Sequence, residues 1–299
     1  MKKIAIAILM FFPFYLVSAL NLKPYIVGFE TSESISATQE KVVKQLEQNG
    51  IKVVGQYQPA NDKNRSIIVF SSSDLETAIK KIGGLTGFAA TLRIGITNEN
   101  GKTIVSYTNP NYWGNAYFRT DFDKVSANYT MLTEHLEKAM KASGTYVGKS
   151  FGSKQGLSEK DLRKYHYMMA MPYFEEVVEL GHFDSNAAAV AKIDANLKKG
   201  VQNVKLVSKV TIAGKELTLY NFALSGEKGE SKFIPIIDIS QPKQTAFLPY
   251  EVLVTGNKVV MLHGRYRIAL SFPDLTMMTF TKIMSAPGDI ENLLKQVVK

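Results

Sequence analysis

Cysteine does not occur in the 299 residues, so disulfides, a lipid-modified cysteine and thiolate chemistry are excluded together. Histidine is scarce, with four in all. His182 and Asp184 have the spacing of loop ligands, but two groups do not make a metal site, and a helix cap by Asp184 accounts for one of them. His135 falls on a charged helix face, and His263 stands alone on an expected strand. No arginine-rich block with interleaved aromatics occurs, which argues against nucleic acid as a partner. No carboxylate couple stands out for acid and base work. Gly83-Gly84-Leu85-Thr86-Gly87 lacks the lysine and serine of a phosphate-cradling loop.

Long apolar runs are missing too, except at the N-terminus. There Lys2 and Lys3 precede an apolar stretch over residues 4–17, and Val17-Ser18-Ala19 offers the small residues of a cleavage site. Residues 1–19 read as a secretory signal peptide, with Leu20 as the first mature residue and the periplasm as the expected compartment. The alternative is an uncleaved anchor, but the run is short of the roughly 20 residues a spanning helix needs. No membrane span is expected after cleavage. The formal charge of +9 falls to +7 without Lys2 and Lys3, and the remaining lysines are scattered over helix faces and turns.

What is present is ordinary foldable material, 45% apolar and 21% charged, and longer than one hydrophobic core usually fills. Residues 92–118 read as two alternating strands joined by Asn100-Gly101 and closed by Asn109-Pro110 with an aromatic corner. Residues 250–273 repeat the pattern: strand, Gly256-Asn257 turn, strand, and a proline exit at Phe272-Pro273. Before each hairpin comes a strand and a helix ended by glycine. The first helix carries Ile35, Val42, Val43 and Leu46 on one face, with Ser36 and Gln39 as capping box and Gly50 at its end. The second carries Val190, Ile193 and Leu197, capped by Asp184 or Ser185 and closed by Gly200. Leu197 thus answers to Leu46, and Val252 to Ile94. Ser73 and Glu76 open a short helix that Gly83-Gly84 closes. Residues 204–210, 217–224 and 233–239 read as strands, and closing helices follow at Leu132, Leu136 and Met140 and again at Ile290, Leu293, Leu294 and Val297.

The expected fold class is α+β, with two similar domains over residues 20–142 and 165–299, each a mainly antiparallel sheet covered by helices. Residues 143–164 lie between them as a Gly/Ser/Lys-rich linker and helix start, holding Gly144, Gly148, Gly152 and Gly156. The glycine-ended helix, the strands after it and the Tyr-x-Asn-Pro exit at Tyr107 to Pro110 resemble the bacterial and archaeal domain of unknown function 302 (DUF302), which occurs singly or in tandem. The second half departs from that pattern, replacing Asn-Pro by Phe272-Pro273 and lacking a helix opposite residues 73–82. The resemblance implies a duplicated small α+β domain and brings no catalytic assignment.

One enzyme-like motif is present, Gly148-Lys149-Ser150-Phe151-Gly152, which fits the G-x-S-x-G of serine hydrolases. That motif works as a strained turn between a buried strand and a helix, and here it sits in the glycine-rich stretch with no helix directly after it. The stretch 165–173 is denser in chemistry, with three tyrosines, three methionines and His166 in nine residues. On a helix ending before Pro172, His166 and Met169 share a face. With Met171 they suit copper(I), and histidine or tyrosine can hold haem iron. Tyr165 and Met169 are explained equally by packing against the second sheet. Tyr112 and Trp113 either line a small-molecule pocket or plug the core.

No motif specifies a reaction. Three classes follow: an exported non-catalytic module binding a small ligand or a periplasmic protein, a copper- or haem-binding protein using His166, Met169 and Met171, and an enzyme of unrecognised type. Any ligand is expected at the seam between the domains, against Tyr165, His166, Tyr167, Met169 and Tyr173, with Tyr112 and Trp113 opposite.

Overall fold

The structure is a computed structural model that describes residues 21–299; the signal peptide expected at residues 1–19 lies outside them. The fold is α+β, with two antiparallel sheets flanked by helices. The first unit runs β1 (Tyr25–Thr31), α1 (Ile35–Gln48), β2 (Ile51–Tyr57), β3 (Arg65–Ser72), α2 (Ser73–Ile82), β4 (Leu92–Glu99), β5 (Lys102–Thr108), α3 (Pro110–Phe118) and α4 (Ser126–Ser143). After β6 (Ser150–Phe151) and α5 (Glu159–Arg163) comes the second unit. It runs β7 (Val178–His182), α6 (Asn186–Lys199), β8 (Val204–Ile212), β9 (Leu217–Leu224), α7 (Glu230–Ile237), β10 (Tyr250–Thr255), β11 (Lys258–Met261), α8 (Gly264–Ser271), α9 (Met277–Lys282) and α10 (Ala286–Leu294). Sheet order is β2-β3-β4-β5-β1-β6 in the first unit and β7-β11-β10-β9-β8 in the second. Read from β8, the second order matches the first strand for strand as far as β1. None of the described helices is long and apolar enough to cross a membrane.

Local sequence accounts for most element ends. Ser34 caps α1 by accepting from the Ala37 N–H, Ser72 caps α2 and Ser185 caps α6. The caps therefore lie one or two residues before the expected Ser36 and Ser73, and Ser185 rather than Asp184 serves α6. Asn100 and Gly101, with φ of 53° and 81°, turn β4 into β5 in the left-handed region that a two-residue hairpin requires. The pairs Glu99 to Lys102 and Thr255 to Lys258 close the two hairpins. Val252 accordingly answers to Ile96, two residues beyond the expected Ile94.

Three expectations are corrected. Residues 233–239 are not a strand, because α7 occupies residues 230–237 and is the counterpart of α2 that the second half was expected to lack. Ile234-Pro235-Ile236-Ile237 has strand-like composition, but Phe233, Ile234 and Ile237 all bury on one helical face, and packing overrides propensity. Beyond the second hairpin, β11 is only four residues long and the rest is α8, whose N-cap His263 accepts from the Arg265 N–H through Nδ1 at 3.2 Å. The glycine-rich stretch is no free tether either. Val147 and Gly148 donate to Gly28 and Val27 carbonyls, Phe151 pairs with Tyr25, and Leu22 bridges to Leu157.

Helices α1, α2 and α4 cover one face of the first sheet, and α6 covers β10 and β11 of the second. The other faces are covered reciprocally. The turn segment Gly84–Ala90 of the first unit packs on β8, β9 and β10, and its counterpart Thr245–Phe247 packs on β3, β4 and β5. Strands β3, β4, β9 and β10 are therefore buried along almost their whole length, polar positions such as Arg93, Thr97 and Asn221 included. The edge strands β2 and β8 meet at matching bulges, after Val53 and after Leu206. A Cβ on Gly55 would stand 2.4 Å from the Val207 carbonyl oxygen. Gly55→Ala should accordingly force the two edges apart and cost about 1–3 kcal/mol in chemical denaturation. An unchanged denaturation midpoint would show that these edges are not in tight contact.

Candidate functional site

The seam between the units contains a buried charge network. Arg93 on β4 pairs with Glu251 on β10, and Arg267 on α8 donates through Nε to the same carboxylate at 2.7 Å and through Nη2 to the Phe247 and Pro249 carbonyls at 2.6 and 2.7 Å. All three side chains are at most 2% exposed. Burial, helped by the like charge of Arg267, pushes Arg93 down to about 9, so it stays cationic at neutral pH. Beside it Arg65 pairs with Asp238 and donates to Thr245 Oγ1.

Next to this network lies a crevice of about 890 Å³ to which both units contribute. Asp238 Oδ1 accepts from the Gln244 N–H at 2.6 Å, and Glu99 Oε1 accepts from the Lys243 N–H at 2.8 Å, so residues 238–244 are held across the end of the first sheet. The opposite wall is the sheet margin, with Val27, Ile104 and the whole β6 region. Phe151, Phe272 and Ile237 make an apolar floor. At the mouth Ile239 is 69% exposed and Val147 48%. Two lining residues each hold a buried oxygen with no partner among the described residues, Glu99 Oε2 and Gln244 Oε1. No histidine is among the residues that line it.

The residues singled out in the sequence lie elsewhere on the seam. The expected helix over 165–171 does not form, because α5 ends at Arg163, where the guanidinium binds Asn115 and Asp123, and Pro172 disfavours helix behind it. Tyr165 packs edge-on against Tyr266 of α8, and Phe174 stacks on Tyr117 of α3. Tyr112 and Trp113 are core plugs: their polar ends donate to the Leu270 carbonyl at 2.8 Å and the Pro24 carbonyl at 2.9 Å. Tyr167 donates to the Leu275 carbonyl, and with Met171, Met277 and Phe280 it lines a recess of about 30 Å³, room for a few water molecules and no ligand of drug size. His166 stacks on Tyr173 at 3.9 Å, and its Nε2 sits 2.6 Å from the Met171 carbonyl oxygen. Met169 is 90% exposed. With the helix gone, the shared face proposed for His166 and Met169 is gone too. Among the described residues no group of three or more His, Asp or Glu side chains could hold a metal ion. His182 lies against Asn257, and His135 against Asp74.

Sequence reasoning missed the crevice. Residues 147–154 have the composition of a linker and residues 237–244 that of a strand end and loop. The one local signal was Val147, Phe151 and Ile239, apolar residues in otherwise polar surroundings.

Glu230 joins the units beside the network. Its carboxylate accepts from Tyr57 Oη at 3.0 Å and the Ala60 N–H at 2.9 Å in the first unit, and from the Leu224 N–H at 3.2 Å in the second. Burial pushes it up to about 7 against the pull of these donors. The folded state therefore holds this proton more tightly than the unfolded chain, whose carboxyl titrates near 4.5. Its stabilising effect is full below that value and fades as pH rises through about 7, a difference of about 3 kcal/mol. Denaturation midpoints at pH 5 and pH 8 should show this loss in the wild type and little of it in Glu230→Gln. Equal pH dependence in both proteins would assign the effect to another group.

No family model and no curated protein matches this chain. Among solved structures, an uncharacterized conserved DUF302 protein from Bacillus stearothermophilus is similar at 14% identity, with a TM-score of 0.35, covering 40% of this chain and 98% of that one.

Proposed function

We propose that the protein is an exported, non-catalytic binding module acting in the periplasm, and that its ligand sits in the crevice between the two units. The observation that carries this reading is the crevice itself. It has the size of a ligand site, a mainly apolar floor and a few buried polar groups, and its walls come from both units. The export signal over residues 1–19 supplies the compartment, as an inference from sequence. We read the two units as copies of one DUF302-type domain, supported by their shared strand order and by paired helices at matching places, α1 with α6, α2 with α7 and α3 with α8. On this reading duplication created the site, since a crevice bounded by two unlike surfaces of one repeat pair is absent from a single repeat.

The test uses Nile red, a neutral apolar dye, and a double substitution at the mouth, Val147→Gln with Ile239→Gln. Both side chains are largely exposed, so stability should change by about 0.5 kcal/mol or less. The dye should bind the wild type and bind the variant about tenfold more weakly, the effect of removing apolar contact surface. Equal binding would put the apolar seat elsewhere and remove the crevice as the site.

A further inference from the structure

Resting on the crevice as the ligand seat, we infer that its occupant is an extended peptide segment that adds to the free edge of β6 as a further strand. The first sheet has two margins. One, β2, is closed by β8 of the second unit. The other is β6, and the crevice runs along it, since Val147 and all six residues from Lys149 to Lys154 contribute to its wall. Side chains of a strand alternate between faces, so consecutive residues share one cavity when that cavity faces the strand's edge, where the backbone is presented.

The backbone bonding agrees. Phe151 is paired with Tyr25, and the Lys149 carbonyl accepts from the Val27 N–H at 2.9 Å. In an antiparallel ladder the residue between such partners, Ser150, turns its N–H and C=O outward. The Gly152 N–H also has no protein acceptor among the described residues. Gln244, only 7% exposed, packs beside Gly152, with its Oε1 3.2 Å from where a Cβ of Gly152 would stand. The outward N–H and C=O of Ser150 and the free Gly152 N–H match a peptide backbone, which carries both donor and acceptor along its length.

The side chains indicate the peptide's character. Phe151, Phe272 and Ile237 on the floor favour apolar residues at alternate positions. Lys23, Lys102, Lys149 and Lys154 line the crevice against Glu30, Glu99 and Asp274; Lys23, Lys149 and Lys154 have no side-chain partner among the described residues, which favours acidic residues between the apolar ones. The partner is thus a segment in which apolar and acidic residues alternate.

The probe is a pool of end-blocked heptapeptides with valine, leucine, isoleucine or phenylalanine at odd positions and glutamate at even ones. A matched pool carries N-methyl groups on alternate backbone nitrogens. The unmodified pool should displace Nile red from the wild type, bind about tenfold more tightly than the N-methylated pool, as expected for losing one or two backbone bonds, and slow hydrogen exchange at the Ser150 and Gly152 amides. Lys149→Glu with Lys154→Glu should weaken it without disturbing the fold. If the dye binds the crevice but the unmodified pool neither displaces it nor outperforms the methylated pool, the peptide inference fails and the crevice reading stands. If the dye itself ignores the crevice, both fail.

Discussion

Each sheet in this protein has a second apolar face that its own helices do not cover, and the fold depends on how those faces are hidden. The solution is exchange. Gly84–Ala90 of the first unit covers the second sheet, and Thr245–Phe247 of the second covers the first. The buried apolar residues consequently form one continuous cluster drawn from both units. Separated, either unit would expose central strands that are buried on both sides, which is the surface most prone to pair with the wrong chain.

Charge has to follow into that interior. Arg93, Glu251 and Arg267 leave water together, and each gains partners that offset its desolvation: Glu251 lies between two guanidiniums, and Arg267 also reaches two carbonyls and lies 4.4 Å from the Tyr250 ring centre. A network of this kind fixes relative placement more than it adds stability, because its partners must stand in one register to satisfy each other. Nearby, Asp238 and Glu99 hold residues 238–244 over the sheet margin, so the crevice is a by-product of the seam: it is the part of the first sheet's second face that the exchanged segment does not reach.

The errors of the sequence reading have a common physical origin. The run Phe233 to Ile237 is β-branched, and strand propensity decides its reading until a neighbouring core supplies a helical face to bury it. Arg267 sits in a stretch that alternates like a strand, yet its guanidinium is claimed by Glu251, and α8 is the geometry that delivers it. Residues 143–157 look like a linker because glycine hides a strand edge that is only two residues long and lacks a periodic pattern. The tyrosine and methionine stretch drew attention by composition. Of its side chains Tyr165 packs on α8 while Met168, Met169 and Tyr173 are exposed, and composition alone does not distinguish glue from a ligand set.

What the sequence by itself determined is local: the capped, glycine-ended helices α1 and α6, the two hairpins with their turns, the absence of thiol chemistry, the α+β class and the division into two similar halves. Each of these follows from interactions within a few residues, from composition or from the recurrence of one pattern along the chain. Only the tertiary structure decided which face of each sheet the other unit covers, why Arg93 and Glu251 are where they are, and where a crevice is left open. Those features join residues more than a hundred positions apart, such as Arg65 with Asp238 and Tyr57 with Glu230, and no period or motif along the chain records which distant groups will meet.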